Sequence, residues 1–204
     1  MPLLLLNKPL KNIKTMQILI LNGSPRKKGN TEQIVTRIAE DVTKDGDEVE
    51  LFRLADLDIH PCIGCGHCEK AGICIFKDDM QVLYEKIAEA DRIILASPIY
   101  FYGLTAQAKI CVDRCQALWS RKYILKKSIS SKPGRKGYLI SVAATRGERV
   151  FEGAILTARY GLDAMDVRYS GELLFPGVDG KGTIKNEPDY PAAVHTFIQL
   201  LLES

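Results

Sequence analysis

The sequence predicts an α/β protein: a doubly wound sheet of five parallel strands, covered by helices on both faces in three layers. Three observations carry this. Apolar, strand-like runs alternate with amphipathic helical stretches from Met16 to the end of the chain. That order calls for right-handed crossovers between parallel neighbours. The strand runs are nearly continuous in apolar residues, as strands buried on both faces are. With 204 residues, 46% of them hydrophobic, the chain can fill one sizeable core but not two comfortable ones.

The elements follow in order. "MQILILNGS" (Met16 to Ser24) is an apolar run closed by Asn-Gly, a buried strand. In "NTEQIVTRIAEDVTKDG", Ile34, Val35, Ile38 and Val42 share one helical face, and Gly46 ends the helix. "DEVELFRL" alternates with period two and reads as the second strand. A cysteine-rich loop, residues 60–78, precedes the helix "DDMQVLYEKIAEA", whose opening Asp78 and Asp79 suit a helix N-terminus. "DRIILASPIY" is the third strand and "LTAQAKICVDRCQALW" the third helix. "KGYLISVAAT", "ERVFEGAILTARYG" and "DAMDVRYSGELLF" follow as strand, helix and strand, and "DYPAAVHTFIQLLLES" closes as a helix. Five strands and five helices in this order match the flavodoxin-like arrangement. The domain is expected to span 16–204, with residues 1–15 an extension ahead of it.

Charge excludes some functions. The net charge of +3 on nearly balanced acids and bases is not a nucleic-acid-binding composition. No apolar run approaches the ~18 residues of a membrane span. Four leucines near the N-terminus are too few for a signal peptide, which needs roughly 7–15 apolar residues. A cytoplasmic location is expected. In a reducing compartment, clustered cysteines bind metals or do chemistry more often than they form disulfides. Cys111 and Cys115, at i,i+4 on the third helix, read as small buried hydrophobes.

Three loops at strand carboxyl ends suggest a ligand. "NGSPRKKGNTE" joins the first strand to the first helix. Free backbone N–H groups at that helix start favour an anion. Ser24, Asn30 and Thr31 add donors, Arg26 a forked cationic contact, and Gly23 and Gly29 allow close approach. Neither G-x-G-x-x-G nor a Walker A pattern is present, so a single phosphate monoester, as in FMN, suits the loop better than a pyrophosphate. "ASPIYFYG" offers Pro98 and a flat apolar wall from Tyr100, Phe101 and Tyr102, with at least one of the aromatics expected in the core. "AATRGE" offers Thr145, Arg146 and Gly147 to a ring edge. The competing reading of the first loop is an ordinary strand–helix turn capped by Thr31.

"PCIGCGHCEKAGIC" places Cys62, Cys65, Cys68 and Cys74 in C-x2-C-x2-C-x5-C spacing. Four thiolates can satisfy one [4Fe–4S] cluster, and Gly64, Gly66 and Gly72 permit the tight turns a wrapped cluster needs. Four-cysteine zinc sites usually pair two C-x2-C units across a longer spacer, and here the third cysteine arrives early. Zinc and metal-free thiols remain open at this level. His60 and His67 flank the motif and read as surface residues.

"GSPRKKGNT", "SPIYFYGLTAQAKICVDR" and the cysteine loop running into "DDM" resemble the NAD(P)H-dependent FMN reductase superfamily, and more narrowly the iron–sulfur flavoproteins of anaerobic archaea and bacteria. The resemblance spans about Met16 to Phe175. It implies a flavodoxin-like fold, bound FMN, a [4Fe–4S] cluster on Cys62, Cys65, Cys68 and Cys74, and a homodimer or homotetramer in which one subunit's cluster lies near another's flavin. Ser24 through Thr31 would hold the phosphate, and Pro98, Ile99, Tyr100, Phe101 and Tyr102 the ring. The expected function is electron transfer between one-electron carriers, such as a ferredoxin, and two-electron chemistry. The alternative is an NAD(P)H-dependent FMN or quinone reductase without a cluster. The basic stretch Arg121, Lys122, Lys126, Lys127, Lys132, Arg135 and Lys136 reads chiefly as a solvated loop, with docking of an acidic carrier as its functional reading. Asp113 and Arg114 are expected to pair. No Ser/His/Asp set and no paired carboxylates with a catalytic signature are found.

Overall fold

The computed structural model describes residues 15–44 and 46–203. The expectation for residues 1–14 lies outside that range. Five parallel strands form one sheet in the order β2-β1-β3-β4-β5. They are β1 (Gln17–Asn22), β2 (Glu48–Arg53), β3 (Arg92–Pro98), β4 (Lys136–Ala143) and β5 (Arg168–Pro176). The order reverses direction between β1 and β3, the switch point at which such sheets bind ligands. The flavodoxin-like expectation holds.

The helices are α1 (Asn30–Lys44), α2 (His67–Ala71), α3 (Met80–Glu89), α4 (Ala106–Arg114), α5 (Gln116–Trp119), α6 (Glu152–Ala164) and α7 (Tyr190–Leu202). Strand pleating divides the core between the two faces. On β1, Leu19 and Leu21 face the side covered by α3, α4 and α6, while Ile18 and Ile20 face α1 and α7. On β3, Ile93 and Leu95 alternate with Ile94 and Ala96 in the same way. The four apolar residues assigned to the α1 face are all buried.

Several elements differ from the sequence reading. The helix expected over 104–119 breaks at Cys115, whose N–H is shared between the Cys111 and Val112 carbonyls. A π-helical turn, Ser120–Ile124, follows α5. The fourth helix starts at Glu152 and runs through Asp163 and Ala164, which were expected in strand five. The chain reverses there because Met165 N–H bonds back to Gly161 and Leu162, and Asp166 takes a left-handed φ of 60°. Periodicity also missed α2, which is one turn long and exposed.

Candidate functional site

A cleft opens at the carboxyl ends of β1, β3 and β4. Ser24, Arg26, Gly29, Asn30 and Thr31 line one side, Pro98, Ile99 and Tyr100 a second, and Val142, Ala144, Val178 and Asp179 the remainder. Its loops are tied to one another by main chain. Gly23 N–H donates to the Ala96 carbonyl (2.7 Å), Ile99 N–H to Val142 (2.8 Å) and Val178 N–H to Ala143 (2.9 Å). Thr105 fixes the first loop further. It caps α4 by accepting from Ala108 N–H and donates to the Gly23 carbonyl at 2.6 Å. Gly23 is there for space: a Cβ would stand 2.5 Å from Ala108 Cβ. The donors suit a phosphate. α1 opens on the cleft, Ser24 and Thr31 are buried there, and Arg26 is exposed beside them. Asn22, buried at the loop's base, spends its Oδ1 on Ser24 N–H and leaves its Nδ2 without a partner among the described residues.

Asn30 has a second duty. Its Nδ2 donates to the Gly180 carbonyl at 2.8 Å, and its Oδ1 accepts from Ile184 N–H at 3.1 Å. It therefore straps the segment after β5 over the cleft. Val178 and Asp179 reach the site this way, and only the turn-rich composition of 177–182 hinted at them.

The aromatic wall differs from its expectation. None of the three aromatics is core: Phe101 is fully exposed, and Tyr100 and Tyr102 are about half exposed. Tyr100 and Gly103 exchange both backbone hydrogen bonds at 3.0 Å, closing a tight turn around Phe101 (φ 49°) and Tyr102 (φ 62°). Bulky residues in the left-handed region cost about 1–3 kcal/mol each. Tyr102 holds the turn down. A Cβ on Gly153 would lie 2.5 Å from its carbonyl oxygen, and one on Gly147 2.8 Å from its hydroxyl. Thr145, Arg146 and Gly147 do not line the cleft. Gly147 backs Tyr102, Arg146 packs over Gly177, and the Thr145 carbonyl accepts from Gly177 N–H.

The second cavity, of about 150 Å3, belongs to the cysteine loop. Cys62, Cys65, Cys68 and Cys74 all line it, with Phe76, Arg114 and Ala117 among the walls. Gly64, Gly66 and Gly72 take φ of 64°, 69° and 70°, as wrapping the loop requires. The first two flank Cys65, and the third caps α2 by donating to the Cys68 carbonyl. Cys68 sits on α2, and its sulfur accepts from the buried Ser120 hydroxyl at 3.5 Å. Among the described residues, no three His, Cys, Asp or Glu side chains converge tightly enough for a single ion. All four thiols belong to the wall of the same cavity.

A buried ion pair anchors this loop. Arg114, expected to pair with its neighbour Asp113, pairs with Asp78 through both Nη atoms, at 2.6 and 3.0 Å. Asp113 is taken by Lys109 at 2.7 Å. Arg114 also donates to the His60 carbonyl at 2.7 Å, and its guanidinium lies over the Phe76 ring, against which His60 stacks. Asp78 accepts from His60 and Met80 N–H as well. Burial would raise its carboxyl, but the Arg114 hydrogen bonds and these backbone donors outweigh that and bring its pKa to about 2. Both ends of the loop are thus tied to the end of α4.

The two cavities share no residue. α4 runs from Thr105, which bonds the Gly23 carbonyl of the cleft's first loop, to Arg114 in the wall of the cysteine cavity. Nine residues at about 1.5 Å each put roughly 13 Å between those points.

The family model described as NADPH-dependent FMN reductase matches residues 16–163. The chain belongs to that family. Among its relatives, an iron–sulfur flavoprotein of Methanocaldococcus jannaschii is 42% identical over 50% of this chain and 53% of its own length. One of Archaeoglobus fulgidus is 34% identical over 67% of this chain and 68% of its own. The chain spans about half the length of several curated relatives it matches. An NAD(P)H:quinone oxidoreductase from Methanothermobacter marburgensis shares the fold at a TM-score of 0.71 and 17% identity, covering 93% of this chain and 98% of that one. An FMN-dependent NADH-azoreductase from Bacillus anthracis, solved with FMN, does so at 0.61 and 13%, covering 91% and 99%.

The basic stretch is largely consumed by the fold. Lys122 pairs with Asp163 and Asp166, and Lys132 with Asp91. Arg135 is buried against the Ala90 and Met165 carbonyls, and Lys136 donates to Glu203. Cys111 and Cys115 are buried in the core as expected. No helix of the described residues is long and apolar enough to cross a membrane.

Proposed function

We propose that this protein is an FMN-dependent electron-transfer oxidoreductase whose Cys62, Cys65, Cys68 and Cys74 hold a [4Fe–4S] cluster. The observation that carries the reading is the convergence of all four thiols on one cavity, separate from the cleft at the switch point. The relatives' names, iron–sulfur flavoprotein, support it. When bound, FMN exchanges electrons in pairs or singly and the cluster one at a time, so together they join one-electron carriers to two-electron chemistry.

In this reading Ser24, Thr31, Arg26 and the α1 N-terminus bind the phosphate of FMN. Ile99 and Tyr100 wall its ring, and Asn30 holds the 177–184 segment across it. Arg114 and Asp78 fix the cysteine loop on α4. No side chain need move a proton for an electron to pass.

A second reading is favoured by the family's description: an NAD(P)H-dependent FMN or quinone reductase in which the cysteines are idle. Anaerobic stopped-flow of the FMN-loaded protein separates the two. Rapid flavin bleaching by a reduced ferredoxin-type carrier, slow bleaching by NADPH, and loss of the fast phase in Cys68→Ser are expected. Fast NADPH bleaching unchanged in Cys68→Ser supports the plain reductase instead.

A further inference from the structure

The Arg114 guanidinium is fully buried, and its Nε–H has no acceptor among the described residues, although both Nη groups are bonded. An unpaired buried donor, more so on a charged group, is expensive. Arg114 is also part of the wall of the cavity that all four cysteines line. Cys74 stands in the wall of the same cavity. Its other contacts hold it rigidly: the fork on Asp78, the His60 carbonyl and the face of Phe76. Among the described residues its Nε–H has no acceptor and Asp78 engages one of the two Nη2–H groups, while the cavity that Arg114 helps to wall is lined by the four cysteine sulfurs together with Glu69 and Gln116. Ser120 already supplies a buried hydroxyl to the Cys68 sulfur at another corner.

We propose that Arg114 sets the reduction potential of the iron–sulfur centre: its Nε–H donates to a thiolate or sulfide sulfur of the cluster, and its buried charge favours the more negative, reduced form. This rests on the cluster reading above. Hydrogen bonds to cluster sulfurs and nearby charge are the protein's means of tuning such centres. The sequence hid the role because Asp113 was the nearer apparent partner. Asp78, 36 positions away, frees Nε by taking the fork alone.

The test uses the anaerobically purified holoprotein with its arginines labelled in 15N. Pulsed EPR of the reduced cluster is expected to show an arginine 15N coupling. The coupling should survive Arg121→Lys and vanish in Arg114→Lys, which keeps the cation but has no Nε–H. The midpoint potential of Arg114→Lys is expected to fall by at least a tenfold change in the reduction equilibrium, about 59 mV for one electron. An iron-loaded wild type without the coupling overturns the proposal and leaves the cluster reading standing. So does an iron-loaded Arg114→Lys at the wild-type potential. A wild type that carries no iron overturns both. Should Arg114→Lys fail to fold, the presence or absence of coupling in wild type and Arg121→Lys decides.

Discussion

The loop between β1 and α1 and the cysteine loop after β2 leave neighbouring strands at the same end of the sheet, yet they are built on different plans. Ser24, Gly29, Asn30 and Thr31 are buried, and the phosphate loop is tied to β3, α4 and the segment after β5 by its own hydrogen bonds. Cys62 and Cys65 are exposed, and their loop is shaped by three left-handed glycines and anchored at one buried ion pair. The first loop is fixed from three sides, and the second chiefly where Arg114 meets Asp78 and the His60 carbonyl.

Breaking the anchor should have the largest effect. Asp78→Asn leaves a buried guanidinium without its counter-charge and is expected to cost about 3–5 kcal/mol by denaturant unfolding, with loss of iron from the holoprotein. The wild type should show the same dependence in its acid limb. The Asp78 carboxyl is held at about 2 against an ordinary 3.8. The pair's contribution, about 2 kcal/mol, is complete above the unfolded value and is lost as pH falls from near 4 toward 2. Asp78→Asn should flatten stability across that window.

The two loops use glycine for different reasons, which a pair of substitutions should expose. Gly23→Ala meets Ala108 Cβ at 2.5 Å and is expected to cost about 1–3 kcal/mol and to weaken FMN binding in a fluorescence titration. Adding Ala108→Gly should restore FMN affinity by making room. Gly64→Ala has nothing within 4 Å and only its φ of +64° to overcome. It should cost about 1–2 kcal/mol, leave FMN affinity unchanged, and lower iron content. If Gly64→Ala weakened FMN binding as much as Gly23→Ala, the two sites would not be independently built.

The smallest effect is expected at the exposed Lys109–Asp113 pair. Asp113→Asn should change stability by at most about 0.5 kcal/mol, roughly a tenth of the Asp78 effect, in the same denaturation experiment. A cost comparable to Asp78→Asn would mean that Arg114 answers to Asp113 after all.

The sheet was legible because its signal is local. Leu19 and Leu21 against Ile18 and Ile20, or the buried stripe of α1, follow from the period of strand and helix. The cleft's first wall was legible for a similar reason, since Ser24, Arg26, Gly29, Asn30 and Thr31 lie close together in the chain and all line it. What stayed hidden depends on pairings between distant positions. Asp78 reaches Arg114, Asn30 reaches Gly180 and Ile184, and Gly153 meets Tyr102. No spacing rule connects these positions. The aromatic turn misled because exposure of Phe101 depends on a left-handed backbone that its side chain disfavours. The break at Cys115 was hidden because the apolar pattern runs straight through it.

The proposed function stands on four thiols around one cavity holding a four-iron centre in a protein whose separate cleft holds a flavin. The most direct test is to purify the protein without air and count iron, sulfide, zinc and FMN on one sample while recording its absorption spectrum. About four irons, about four sulfides and one FMN per chain are expected, with flavin bands on a broad brown shoulder. Clean flavin bands without iron, or a single zinc in its place, would contradict it.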